Sequence, residues 1–228
     1  MTKSANTTSA TARSRIFILD DHPMTRYGLS QLINDQLDLF VAGEADNARD
    51  ALAAMGSAVP DLVLADITMP GKSGLDFIKD LHAQRPAIKV LVMSMHDESI
   101  YAERVLRSGA RGYIMKNQGG VQLLHAIREV LGGRVYVSET ISASILENLT
   151  RPPSAEGKSR ASSLTDREFE VFQLVGEGLS SRQIAERLNL SIKTIGTHRA
   201  HIKEKLGARS CADLTRQAVR WAAAQQLV

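Results

Sequence analysis

The chain holds one cysteine and one tryptophan in 228 residues, and aromatic residues make up only 4%. Cys211 alone forms no intramolecular disulfide and no cysteine-based zinc site, and such sparse cysteine fits a reducing compartment. Long apolar runs are also missing: the longest, Ala51 to Met55, falls far short of the roughly 20 residues a membrane-spanning helix needs. The first fourteen residues are rich in Ser, Thr and Ala and lack an apolar segment, which reads as a disordered tail over 1–14 and not as a secretory leader. The six histidines share no metal-ligand spacing with one another or with Cys211, so the expectation for each is a structural or surface role. What remains is 43% hydrophobic and 23% charged, the composition of a soluble cytoplasmic protein of one or two domains with no membrane partner.

The net charge of +3 conceals an asymmetry. Arg15 to Arg134 carries 13 basic and 15 acidic residues, whereas Arg160 to Val228 carries 11 and 7. A mildly acidic first part and a basic second part suggest two modules, the second facing a polyanion.

In the first part, short apolar runs recur at Ile16–Leu19, Leu39–Ala42, Leu62–Ala65, Val90–Met93 and Tyr113–Met115. Each is too short for a helix and suits a strand buried on both faces. Segments of helical spacing alternate with them, such as Leu75, Ile78 and Leu81, or Val121, Leu124, Ile127 and Leu131. That alternation predicts a doubly wound parallel α/β sheet, whose ligand site lies beyond the carboxyl ends of its strands. At those ends stand Asp20 and Asp21, Asp66, Ser94 and Lys116. Three converging carboxylates repel one another unless a cation joins them, and hard oxygen ligands with room for water favour Mg²⁺. A carboxylate nucleophile with Mg²⁺, a lysine and a hydroxyl around it makes a phosphoryl-transfer site.

The second part opens with Thr165-x-x-Glu168, a capping box flanked by Leu164 and Phe169 as a hydrophobic staple. A second box, Ser180-x-x-Gln183, starts a short helix, Asn189-Leu190 turns the chain, and Ser191 caps a third helix that ends at Gly207. The third helix has an apolar stripe of Ile195, Ile202 and Leu206 and is crowded with Lys193, Thr194, Thr197, His198, Arg199, His201 and Lys203. Two helices in a tight turn, the second amphipathic and basic, describe a helix-turn-helix whose basic residues neutralise phosphates and whose polar residues reach base edges. Between the parts, Ser138–Leu149 has helical spacing, Arg151-Pro152-Pro153 stops it, and a polar, flexible stretch follows.

These motifs resemble two families in tandem. Ile16 to His22, Asp61 to Gly71, Met93-Ser94 and Tyr113 to Lys116 are similar to the receiver domain of bacterial two-component response regulators. Leu164 to Trp221 resembles the LuxR-type helix-turn-helix, and the pair is the NarL/FixJ arrangement. The resemblance implies a flavodoxin-like receiver of strand order 2-1-3-4-5 over 15–135, a linker over 136–161 and a four-helix DNA-binding domain over 162–228. It implies Asp66 as phosphoacceptor, with Asp20, Asp21, Asp66 and the Thr68 carbonyl as Mg²⁺ ligands. Ser94 and Lys116 then hold the phosphoryl group, and Ser94 and Tyr113 act as the switch. The expected function is a transcription regulator and not an enzyme, phosphorylated by a sensor histidine kinase, with the unphosphorylated receiver masking the recognition helix and the phosphorylated chain binding double-stranded promoter DNA as a homodimer. Two alternatives are a phosphorylation-independent regulator with a vestigial receiver, opposed by the complete acid–lysine set, and an aspartyl-nucleophile phosphohydrolase. The latter requires a second Asp two residues after the nucleophile, where Thr68 stands. Asn117 in place of a proline after Lys116, and Gly196 and Ala200 on the third helix, depart from the common pattern.

Overall fold

The computed structural model describes residues 13–56, 59–69, 74–95, 98–150 and 163–226, without the side chains of 148–150 and 224–226. Of the tail expected over 1–14, residues 1–12 lie outside the described residues, as does most of the polar stretch after the prolines. The last two residues correct that expectation, because Ser14 opens the first strand and the Arg13 guanidinium donates to the Leu39 carbonyl.

Five strands, β1 (Ser14–Leu19), β2 (Leu39–Ala45), β3 (Leu62–Ala65), β4 (Lys89–Ser94) and β5 (Gly112–Met115), form one parallel sheet in the order β2-β1-β3-β4-β5. The fold is therefore the expected one. Strand periodicity sends Ile16 and Ile18 to one face and Phe17 and Leu19 to the other. The first face is covered by α1 (Pro23–Asn34) and α5 (Gly120–Leu131), through Leu29, Ile33, Leu124 and Ile127. The second is covered by α2 (Ala48–Ala54), α3 (Gly74–Gln84) and α4 (Glu98–Arg107), through Ala51, Ile78 and Val105. All five strands lie between two helical layers, which is why they read as continuous apolar runs.

Two local expectations need correction. Strand β2 continues three residues past Ala42, pairing Phe17 with Gly43 and Leu19 with Ala45 after a shift of register. Gly43 and Glu44 interrupt the apolar run that marked the strand, so its end was hidden. Val121 is exposed; Leu123 and Val130 complete the buried stripe of α5 instead.

Beyond α5 the chain returns to β5. Tyr136 donates its N–H to the Arg111 carbonyl at 3.0 Å and accepts from the Tyr113 N–H at 2.8 Å. Helix α6 (Glu139–Thr150) follows where a linker helix was expected, and Glu98 at the start of α4 accepts the Ser138 N–H at 2.7 Å.

The second part consists of α7 (Asp166–Gly176), α8 (Ser181–Arg187), α9 (Ile192–Leu206) and α10 (Cys211–Gln226). Both capping boxes form with their reciprocal bonds, and Ser191 accepts the Thr194 N–H at 3.0 Å at the start of α9. Phe169, Phe172, Ile184, Ile195, Ile202, Leu206 and Ala218 fill its core. The two parts meet along α7. Arg104 of α4 stacks its guanidinium 4.2 Å from the centre of the Phe169 ring, pairs with Asp166 at 3.1 Å and donates to the Leu164 carbonyl at 3.0 Å. Lys79 of α3 also pairs with Asp166, and the buried Tyr101 hydroxyl donates to the Gln173 side-chain carbonyl.

Candidate functional site

The parallel sheet brings the acids at the ends of β1 and β3 within reach of the lysine after β5. The Lys116 ammonium lies 2.7 Å from Asp20 Oδ2 and 2.7 Å from Asp66 Oδ2, bridging two carboxylates that are 1% and 3% exposed. Burial alone would lower the Lys116 pKa; its hydrogen bonds to Asp20 and Asp66 outweigh that and hold it protonated. Burial pushes the Asp66 carboxyl above the usual carboxylate range, against the pull of Lys116 and of the Thr68 N–H. That N–H donates to Asp66 Oδ1 at 2.8 Å. The main chain can make this turn because α3 begins at Gly74, where a Cβ would stand 2.4 Å from the Ile67 Cα.

Asp21 faces the same centre. Its Oδ1 is buried and accepts no hydrogen bond, an orphaned oxygen beside two further carboxylates. Donor atoms of Asp20, Asp21, His22 and Asp66 all lie within 4.8 Å of one another. An oxygen-rich set with an unsatisfied carboxylate oxygen fits a hard divalent cation. Ser94 is fully buried at the end of β4, and its carbonyl accepts the Lys116 N–H at 2.7 Å. Tyr113, fully buried on β5, has its main chain tied to Tyr136.

Two residues of this neighbourhood escaped sequence reasoning. Arg26 on α1 donates to the Asp20 carbonyl at 2.6 Å and approaches Glu44 of β2 at 3.7 Å, fixing the main chain that carries the acid pair. His22 was set aside with the other histidines, yet its ring joins the acid cluster; its adjacency to Asp20-Asp21 was the available signal.

On α9 the residues read as a nucleic-acid face divide. Lys193 and Thr197 are exposed on one side with Gly196 and Ala200, and His201 is exposed on another. Lys203 is half-buried, and Thr194 shares a hydrogen bond with Ser191 at the helix start. Arg199 lies on the same helical stripe as Ile195 and Ile202 and donates to the Ser181 hydroxyl at 3.0 Å, bracing α9 against α8. His198 is half-buried; burial and the nearby Arg167 lower its pKa, which favours the neutral ring. Among the described residues the implied masking of α9 is not seen: the first domain meets α7, and Lys193, Gly196, Thr197 and Ala200 of α9 are exposed.

Residues 16–128 match the family model of the response regulator receiver domain, and residues 162–218 that of the luxR family of bacterial regulatory proteins. The chain is 35% identical over 210 residues to the oxygen regulatory protein NreC of Staphylococcus aureus (strain bovine RF122 / ET3-1), covering 90% of this chain and 97% of NreC. Among solved structures it is similar to RcsB from Salmonella enterica serovar Typhimurium bound to promoter rprA in the presence of phosphomimetic BeF3⁻, with TM-score 0.63 and 25% identity over 90% of this chain and 97% of that one. A LuxR-family two-component response regulator from Aurantimonas sp. SI85-9A1 matches with TM-score 0.56 and 31% identity, over 61% of this chain and all of that one. An acid–lysine centre at the edge of a parallel sheet, joined to a helix-turn-helix, defines the class of DNA-binding transcription regulators built on a receiver. The chain belongs to the two-component response regulators with a LuxR-type DNA-binding domain.

Proposed function

We propose that Asp66 accepts a phosphoryl group from a sensor histidine kinase in the cytoplasm, and that this modification controls promoter binding by the LuxR-type domain. The observation that carries the reading is the Lys116 ammonium bridging the buried carboxylates of Asp20 and Asp66. In the transfer, an Asp66 oxygen forms the new bond to phosphorus while the phosphorus–nitrogen bond of the phosphohistidine breaks and the imidazole leaves. Lys116 neutralises the phosphoryl oxygens as charge develops there, and the Ser94 hydroxyl donates to them. Asp20, Asp21, Asp66 and the Thr68 carbonyl would hold Mg²⁺, which supplies electrostatic stabilisation of the same oxygens.

The readout runs through α7. Thr68, whose N–H holds Asp66, lines a cleft with Tyr101, Glu170 and Gln173. New negative charge at Asp66 draws on Lys116 and Thr68 and disturbs the packing of Tyr101 and Arg104 on α7, so the division into a receiver over 15–135 and a DNA-binding domain over 162–228 becomes a functional one. Release of α7 leaves the DNA-binding domain free to pair with a second copy; RcsB bound to promoter DNA in the presence of a phosphomimetic supports the coupling of phosphorylation to promoter binding. Lys193, Thr197, His201 and Lys203 supply the DNA contacts, with Thr194, His198 and Arg199 shaping the helix that presents them.

The test is incubation of the full chain with acetyl phosphate and Mg²⁺. Incorporation of one phosphoryl group that disappears in Asp66→Asn, together with tighter promoter binding of the modified chain, is the expected result. Undiminished incorporation in Asp66→Asn overturns the assignment.

A further inference from the structure

The His22 ring places a nitrogen where the carboxylates need a cation. Its Nδ1 stands 2.8 Å from Asp21 Oδ1 and 3.3 Å from Asp20 Oδ1. The first contact is out of line for hydrogen bonding, which is why Asp21 Oδ1 stays without a partner. In the tautomer that leaves Nδ1 without a proton, the ring nitrogen and Asp21 Oδ1 are two electron-rich atoms at 2.8 Å and repel. A cation bound to both removes that repulsion. The spacing also suits one: ligands at about 2.1 Å from an octahedral ion sit about 3 Å apart along each edge, and both distances from Nδ1 fall near that value. The ring itself is 65% exposed, and as the residue before α1 it makes no side-chain cap bond. Packing and capping therefore do not set its orientation; the contacts of Nδ1 with Asp20, a hydrogen bond when Nδ1 carries the proton, and with Asp21 do.

We propose that His22 Nδ1 is a ligand of the metal centre and that it sets the centre's preference among divalent cations. The proposal rests on the metal-binding reading of the acid cluster. Carboxylates, carbonyls and water serve Mg²⁺ well, whereas an imidazole nitrogen is a better ligand for later first-row ions than for Mg²⁺. In the ligating form Nδ1 carries no proton and Nε2 carries it, pointing its donor away from the acids. Replacing one carbonyl or water ligand by this nitrogen shifts the site towards Mn²⁺ and Co²⁺ without abolishing its use of Mg²⁺.

The experiment uses the unphosphorylated full chain and needs no phosphoryl transfer. Mg²⁺, Mn²⁺ and Co²⁺ are titrated calorimetrically into the parent, His22→Ala and Asp21→Asn, and the visible absorption of the Co²⁺ complexes is recorded. His22→Ala is expected to weaken Mn²⁺ and Co²⁺ by about tenfold, at the lower end of what altering a ligand environment costs. Mg²⁺ should change much less, and the Co²⁺ bands should shift as a nitrogen ligand is lost. Equal weakening of all three cations, or unchanged Co²⁺ bands, overturns the role of His22 while leaving the metal centre intact. If the parent binds none of the three, or Asp21→Asn binds them as the parent does, the metal-centre reading fails and the proposal with it. Circular dichroism of His22→Ala should match the parent, since the side chain supports no packing.

Discussion

At the end of the receiver's sheet, Lys116 is held between two carboxylates that are almost inaccessible to water, and the oxygens around it are nearly all assigned. On the outer side of α9, Lys193 and Thr197 stand in solvent beside Gly196 and Ala200. The same residue type thus serves two opposite economies of charge. Inside the receiver a lysine is part of the scaffold: without it, two buried acids lose their counter-ion. On the open side of α9 Lys193 stands in solvent, and its removal is expected to leave the fold untouched. A charge that the fold depends on makes a switch, because changing the charge around it changes the structure; a charge that the fold ignores makes a binding face.

Four substitutions sharpen or break this contrast. Lys116→Met should have the largest effect, about 3–5 kcal/mol of stability lost from the receiver, as expected when one member of a buried ion pair is removed. Urea unfolding of the full chain without divalent cations measures it, and added Mg²⁺ should restore part of the loss; a change below about 1 kcal/mol would show that the buried acids are not held by the lysine. Next comes the seam between the domains. Arg104→Ala removes an ion pair, a bond to the Leu164 carbonyl and the stack on Phe169, weakening the docking of α7 by about 1–3 kcal/mol. Small-angle scattering should then show an expanded molecule while each domain keeps its own unfolding transition.

Within α9 the contrast can be tested at two positions six residues apart. Arg199→Ala should cost about 1 kcal/mol of stability in the DNA-binding domain, through the lost bond to Ser181. Lys193→Ala should leave stability alone and lower the salt dependence of DNA binding by about one unit of slope. If the two variants behave alike, the division of the helix into a bracing side and a binding side is wrong.

The smallest effects are in pH, and they carry opposite signs. Burial would raise the Glu168 carboxyl, but bonds from Lys205 and the Thr165 N–H hold it below its ordinary value of 4.5. Its stabilisation is therefore complete above that value and is lost as pH falls through the lower, folded-state value. Asp66 is raised above its ordinary 3.8 by burial, so its ionised form opposes folding, and without a cation the receiver gains stability as pH falls through the raised value. Difference profiles of Glu168→Gln and Asp66→Asn against the parent, measured in a chelator, should slope in opposite directions.

The sheet, the acid cluster and the helix-turn-helix were legible for a common reason: each is dictated by local pattern. Apolar runs place strands, parallel topology gathers strand ends, and Thr165-x-x-Glu168 or Ser180-x-x-Gln183 announces a helix start. What escaped was set by distant partners. Tyr101, Arg104, Asp166 and Gln173 sit on helices that look complete by themselves, and only the fold shows that they meet. Arg199 reads as a DNA contact because basic residues crowd α9, but its position on the Ile195–Ile202 stripe turns it inward. The nearness of the His22 ring to the acid cluster was hidden because the turn after β1 aims it, and no periodicity reports such an angle.

The bonds from Tyr136 to Arg111 and Tyr113 bear on how copies of the protein avoid one another. The last strand of an open sheet offers a row of unsatisfied amide groups, a template on which a second chain can build. Along β5 the Arg111 carbonyl and the Tyr113 N–H of that row are taken by the chain's own return, and at the opposite margin the Arg13 guanidinium occupies the Leu39 carbonyl at 2.8 Å. A receiver cut after residue 133 would carry its margin bare, whereas one reaching Ser138 brings its own cover. The boundary chosen for an isolated receiver thus sets how much of the β5 margin is left open to pairing with a second chain.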